Sequence, residues 1–109
     1  MKTIVKITQK NKEGIKQNLQ YITGRMVNGT SFIGSEKDSE KQISVVKGLD
    51  SVSSLVITGS AKDFDSVEVL SANADTIVKM ALTENKINKK NWVGVIHEHG
   101  GFHLHMYAY

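Results

Sequence analysis

The first ten residues alternate between apolar and polar side chains, the pattern of a strand with one face toward solvent. Thr3, Val5 and Ile7 share one parity, and lysines and a threonine flank them, with Ile4 as the exception. The spacing then changes to that of a helix over residues 11–24, which end in a glycine. The apolar stripe of this helix is Ile15, Leu19 and Ile22.

The middle of the chain predicts a hairpin, a strand and a long helix. Asn28-Gly29 between short apolar pairs is the strongest local hairpin signal, and the charged residues 35–47 predict a weak helix or a loop. Residues 55–58 are rich in β-branched side chains and predict a strand. Asp65 to Glu68 resembles a capping box. The helix after it has the apolar stripe Val67, Leu70, Ala74, Ile77, Val78 and Ala81.

The last third predicts two strands joined by a turn. Trp92 to Ile96 is an apolar run that leads into His97, Gly100-Gly101 is the turn, and residues 102–109 form the final strand. The sum is about five strands and two or three helices. Because hairpins imply antiparallel pairing, we expect a single α+β domain over residues 1–109, with helices packed on an antiparallel sheet.

Composition narrows the class of protein. The chain has 109 residues and no cysteine, which excludes disulfides, thiolate metal sites and a cysteine nucleophile. It has no apolar run of about 18 residues and no signal-peptide core at its N-terminus, so we expect a cytoplasmic protein without membrane contact. No sequence feature calls for a small-molecule cofactor.

Charge is unevenly distributed, with basic ends and an acidic middle. The first 25 residues contain one acidic residue, Glu13, and six basic residues: Lys2, Lys6, Lys10, Lys12, Lys16 and Arg25. One interpretation is a set of scattered solvated charges. The other is a partner that carries phosphates.

All 4 histidines of the chain lie within residues 97–105. Residues i and i+2 of a strand point the same way, so His103 and His105 share one face. The Gly-Gly turn brings the preceding strand alongside, and His97 or His99 then reaches that face. Three imidazoles there predict a site for a divalent metal ion. The alternative is a cluster of surface or core histidines.

A metal site alone does not define the reaction. Glu98 is a candidate base for a metal hydrolase, but a regular strand turns it away from its histidine neighbours. Tyr21 lies about 120° from the centre of its helix's apolar stripe, in the most basic segment. Tyr107 and Tyr109 compete with it, because they share strand parity with the histidine pair.

The pair His103-Leu-His105 resembles the His-hydrophobic-His motif of the HUH single-strand endonucleases. The order of features resembles the relaxase, or plasmid mobilisation, branch of that superfamily. Relaxases have a tyrosine on or just after the first helix, as at Tyr21. A later strand enters a first histidine, as at His97, and the histidine pair follows. The resemblance covers essentially the whole chain.

The resemblance implies an HUH relaxase core that nicks single-stranded DNA for plasmid mobilisation or for rolling-circle replication of a plasmid or virus. It implies that His97, His103 and His105 bind Mg²⁺ or Mn²⁺, that Tyr21 forms a 5′-phosphotyrosine intermediate, and that Lys16 and Arg25 contact DNA phosphates.

Two departures from the relaxase pattern leave alternatives. His99 occupies the position where relaxases usually have an acidic residue, so it is an alternative ligand to His97, a base or a group that supports the ligands. The sequence ends at the His-x-His strand, so we expect a minimal or truncated relaxase domain. The alternative functions are a rolling-circle replication initiator that uses a C-terminal tyrosine, a non-catalytic DNA-binding module with the same fold, and a metal phosphodiesterase that uses water.

Overall fold

A computed structural model describes residues 3–59, 64–98 and 101–109. The elements in chain order are β1 (Thr3–Asn11), α1 (Lys12–Gly24), β2 (Ile33–Gly34), α2 (Ser39–Lys47), β3 (Ser51–Gly59), α3 (Val67–Glu84), β4 (Trp92–Glu98) and β5 (Phe102–Ala108). The predicted α+β class is confirmed, because three helices pack on a five-stranded antiparallel sheet. No described helix has the length and apolar character to span a membrane.

The strand order is β1-β3-β5-β4-β2, so β5 lies at the centre and β4 beside it. The histidine pair is therefore on the central strand, where both neighbouring strands pair with His105 and β4 pairs with His103. Gly94 on β4 allows the two strands to approach, since a Cβ there would collide with the carbonyl oxygen of His105 and with Met106. The position therefore requires glycine.

One face of the sheet is an apolar core covered by α3. The strand residues whose side chains point to this face are buried: Leu55 and Ile57 of β3, Leu104 and Met106 of β5, and Ile96 of β4. The buried side of α3 consists of Leu70, Ala74, Ile77, Val78, Ala81 and Leu82. The apolar face of the sheet and the apolar side of α3 therefore pack against each other and form the core of this half of the molecule.

The opposite face is covered by α1 and α2 and is apolar over only part of its area. Val52, Val93, Val95 and Tyr107 form its apolar part beneath Ile15, Leu19 and Ile22 of α1. Further along β4 and β5, the side chains that point to this same face are those of His97, His103 and His105. The α1 face therefore changes from apolar to imidazole along the strands.

The cap residues define where the helices begin. The Asn11 side chain accepts a hydrogen bond from the Gly14 amide at the start of α1. Ser66 caps α3, because its hydroxyl accepts from the Val69 amide. The capping-box prediction placed the cap at Asp65 and was one residue too early.

The predicted Asn28–Gly29 hairpin is wrong, although both residues lie in a turn and Gly29 has a positive φ of 82°. The segments on both sides of the turn pair with β4 instead of with each other. Met26 bridges to His97, and Ile33 pairs with Gly94. Residues 26–34 are thus one interrupted edge strand, and the turn lies in the interruption.

Residues 39–47 form α2, the helical alternative of the sequence prediction. Asp38 caps it by accepting from the Lys41 amide. Its buried side includes Gln42, whose side-chain amide donates to the Trp92 carbonyl oxygen and to the Tyr109 hydroxyl, both at 3.1 Å. A buried glutamine interrupts the apolar periodicity, which explains the weak sequence signal.

Candidate functional site

Three of the four histidines meet on the α1 face of neighbouring strands. His97 of β4 is directly opposite His103 of β5, with ring centroids 5.2 Å apart. His105 is two residues along β5, and its ring centroid is 5.5 Å from that of His97. The predicted convergence of His97, His103 and His105 is therefore what the fold produces, by strand parity and register.

Burial keeps at least one of these imidazoles neutral. His97 and His105 are both buried, and burial, the neighbouring His97 and the charge of Lys10 lower the pKa of His105 to about 4. The Nε2 atom of His105 is 3.5 Å from the hydroxyl of Ser54, while its Nδ1 atom is buried without a hydrogen-bond partner. Near neutral pH His105 therefore offers a lone pair.

The donor set fits a divalent transition metal ion in kind and in spacing. Two imidazoles whose nitrogens are each about 2.1 Å from one ion have ring centres on the order of 5 Å apart, comparable with the spacing of these rings. No three His, Asp or Glu side chains of the described ranges form a ready-made metal site, so the support for metal binding is the donor chemistry and these two ring spacings. His99 lies outside the described residues.

Helix α1 crosses the histidine face from β1 to β4. It begins directly after β1, and the residues after its end pair with β4, where the Val27 amide donates to the Ile96 carbonyl oxygen at 3.1 Å. At mid-helix, the Tyr107 hydroxyl donates to Asn18 Oδ1 at 2.5 Å. A side chain at Gly14, in the first turn, would contact Lys10 of β1. The Gly14–Asn18 flank of α1 therefore faces β1 and β5.

Tyr21 lies on this same flank of α1. At 100° per residue it is about 20° from Gly14 and about 60° from Asn18, one turn closer to the helix end beside His97. Its side chain is 49% exposed, and the guanidinium carbon of Arg25 lies 4.6 Å from its ring centroid. The phenol is therefore accessible, and the cation restrains its ring.

The two predicted phosphate-contacting residues lie on different sides of α1. Arg25 is stacked on Tyr21. Lys16 is about 140° around the helix from Tyr21 and lines a groove of about 730 Å³ between α1 and α2, together with Lys12 and Lys47. The structure therefore brings Arg25, and not Lys16, together with Tyr21.

The hydroxyls of both competing tyrosines form hydrogen bonds within the fold. Tyr107 has the same parity as the histidines, but it is 0% exposed, and burial raises the pKa of its hydroxyl. The hydroxyl of Tyr109 accepts from Gln42. Glu98 pairs with Phe102 at the end of β4 and has the parity of the α3 face. It therefore points away from the imidazoles, as the strand pattern predicts.

Sequence patterns did not identify the polar groups that surround the histidines. Ser54 lies directly before the β-rich residues 55–58, and Asn18, which accepts from Tyr107, lies at the edge of a helical stripe. In the sequence, Lys10 is one basic residue among several. Its parity along β1 was the available signal, since positions 4, 6, 8 and 10 share a face.

No protein-family model matches the chain, and no curated protein or solved structure matches it either. The functional argument therefore depends on the chemistry and the geometry of the site.

Proposed function

We propose that this protein is a metal-dependent endonuclease that nicks single-stranded DNA through a tyrosine nucleophile, as a relaxase-like enzyme of plasmid mobilisation or rolling-circle replication. The supporting observation is the combination of three imidazoles on the central strand β5 and its neighbour β4 with an accessible tyrosine on the helix that crosses this face. Neither feature alone defines this reaction class.

In this proposal the three histidines His97, His103 and His105 hold one Mg²⁺ or Mn²⁺ ion, which supplies Lewis-acid polarisation of the scissile phosphate. Neutral imidazoles are the required ligand form, and the low pKa of His105 supports that role. Imidazole suits transition ions better than Mg²⁺, so we expect Mn²⁺ to bind more tightly.

Tyr21 acts as the nucleophile. Its hydroxyl oxygen gives up its proton to water and forms a bond to phosphorus, the bond from phosphorus to the 3′-oxygen breaks, and the released 3′-oxygen takes up a proton from water. The products are a 5′-phosphotyrosine and a free 3′-hydroxyl, so the phosphodiester is exchanged and not hydrolysed. Arg25 restrains the ring of Tyr21 and offers its charge to the strand backbone.

A C-terminal tyrosine is the alternative nucleophile, as in a replication initiator. The complete burial of Tyr107 and its bond to Asn18 favour Tyr21. A non-catalytic DNA-binding module is the remaining alternative, and it predicts DNA binding without strand cleavage.

The test uses a labelled library of random single-stranded oligonucleotides, which does not require knowledge of the target site. We expect shortened products with Mn²⁺ and none with EDTA or with the His103→Ala/His105→Ala variant. Calorimetric titration with Mn²⁺ should show binding that this double variant loses. Leu104→Ala is the matched control on the same strand, because its side chain faces α3. Equal metal affinity in wild type and the double variant would contradict the proposal.

A further inference from the structure

Strand β1 presents a basic surface on the histidine side of the sheet. Lys6, Thr8 and Lys10 share parity, and we call these three residues the lysine shelf. In the strand register, Lys6 is in the row of Val56 and His105, and Thr8 is in the row of Ser54 and Tyr107. Lys6 and Thr8 are exposed and Lys10 is half-buried. The shelf is therefore the edge of the surface that contains the histidines.

No carboxylate in the described part of the chain forms an ion pair with the ammonium groups of the shelf. The one ion pair within the described ranges joins Lys79 and Asp75 on α3. Lys10 lies against the first turn of α1 at Gly14, on the face of the sheet that also carries the imidazoles. The shelf therefore adds positive charge to the face that holds the histidines.

The flank of α1 with Tyr21 and Arg25 is the other boundary of this surface. Gly14 and Asn18 of the same flank face Lys10 and Tyr107. An extended polyanion beside His103, the partly exposed histidine, would thus lie between the shelf and this flank. The groove with Lys12, Lys16 and Lys47 is on the opposite side of α1, where Glu13 and Glu40 also line it and reduce its net positive charge.

We propose that the lysine shelf binds the phosphate backbone of the DNA strand next to the histidines, and that the α1–α2 groove does not. This inference rests on the proposed function. Lys6 and Lys10 are four residues apart on a strand, or about 13 Å, so they contact different phosphates. The shelf therefore defines which side of α1 the DNA follows.

Lysines on an edge strand have a second explanation, because they discourage pairing with another strand. In that role they would limit self-association and make no contribution to DNA affinity. The experiment must therefore compare variants with equal loss of charge and measure their oligomeric state.

The experiment measures fluorescence anisotropy of a labelled oligothymidylate at several salt concentrations. Lys6→Gln/Lys10→Gln should weaken binding at least about tenfold at about 50 mM salt and reduce the slope of log K against log salt by about 1.4. The control, Lys16→Gln/Lys47→Gln, removes equal charge and should change affinity less than about twofold. Lys6→Arg/Lys10→Arg should retain wild-type affinity. Thermal unfolding and light scattering check that each variant is folded and monodisperse.

If both glutamine variants lose affinity equally, or if only self-association changes, the shelf proposal is wrong while single-strand binding stands. If the wild-type protein binds no single-stranded DNA at low salt, the proposed function and the shelf are both wrong. Loss of affinity in the arginine variant would also overturn the phosphate role, because the charge is retained.

Discussion

The two faces of the sheet are built on the same strands but differ in what they bury. On β5, Leu104 and Met106 point to α3 and join a continuous apolar core. His103 and His105 alternate with them and point to the α1 side. The difference shows that one strand, by its period of two, serves stability on one face and chemistry on the other.

The buried histidines of the α1 face stabilise the fold less than apolar side chains in the same positions would. A buried polar group without a partner costs free energy, and His105 Nδ1 is such a group. The residues that would hold a metal are therefore expected to contribute little to folding. Folding and function are consequently separable by mutation in this protein.

The sharpest contrast is between two adjacent residues of β5. Leu104→Ala removes a fully buried side chain from the α3 face and should lower the free energy of unfolding by about 3 kcal/mol while sparing metal binding. His103→Ala, on the other face and only half-buried, should cost less than about 1 kcal/mol and abolish metal binding. Urea denaturation and calorimetry measure both effects. Equal destabilisation by the two variants would contradict the division between the faces.

The second contrast is in the dependence of stability on pH. The pKa of His105 is about 4 in the fold, against 6.5 for an ordinary histidine. The unfolded chain therefore binds a proton before the folded one, and stability of the metal-free protein should fall as pH drops from about 6.5 to about 4, by about 3 kcal/mol. Denaturation at a series of pH values measures this loss.

His105→Leu is the control for the pH series, because it fills the same space without a titrating group. It should remove most of the loss of stability in this interval and bind no metal. An unchanged pH profile in this variant would show that carboxylates, and not the buried imidazole, cause the acid sensitivity.

A smaller effect separates the buried tyrosine from the exposed one. Tyr107→Phe removes the hydrogen bond to Asn18 and should cost about 1 kcal/mol of unfolding free energy. It should leave nicking intact, because its hydroxyl is inside the core. Loss of nicking in a folded Tyr107→Phe protein would favour the C-terminal tyrosine of a replication initiator.

Periodicity predicted most of the sheet and the position of the histidines on it. Strand parity alone placed His103 and His105 on one face and left His97 or His99 to join them, and the structure has His97 opposite His103. Helical spacing identified the buried stripe of α1 and placed Tyr21 outside it. These features are local, so the sequence carries them directly.

The remaining features depend on contacts between distant segments. Asn28-Gly29 has hairpin chemistry, but β4 offers a partner to both flanking segments. Helical periodicity shows which side of α1 is buried, but only packing decides which flank meets α2 and which meets β1. For that reason the sequence grouped Lys16 with Arg25, and the structure separates them.

The most direct test of the proposed function is covalent attachment of DNA to the protein. The random single-stranded library, with Mn²⁺, is incubated with wild-type protein, Tyr21→Phe and Tyr107→Phe, and the products are resolved on a denaturing gel. We predict a labelled protein band in wild type and Tyr107→Phe, located at Tyr21 by peptide mapping, and none in Tyr21→Phe. Cleavage without any attached species, or attachment that persists in Tyr21→Phe, would contradict the tyrosine mechanism.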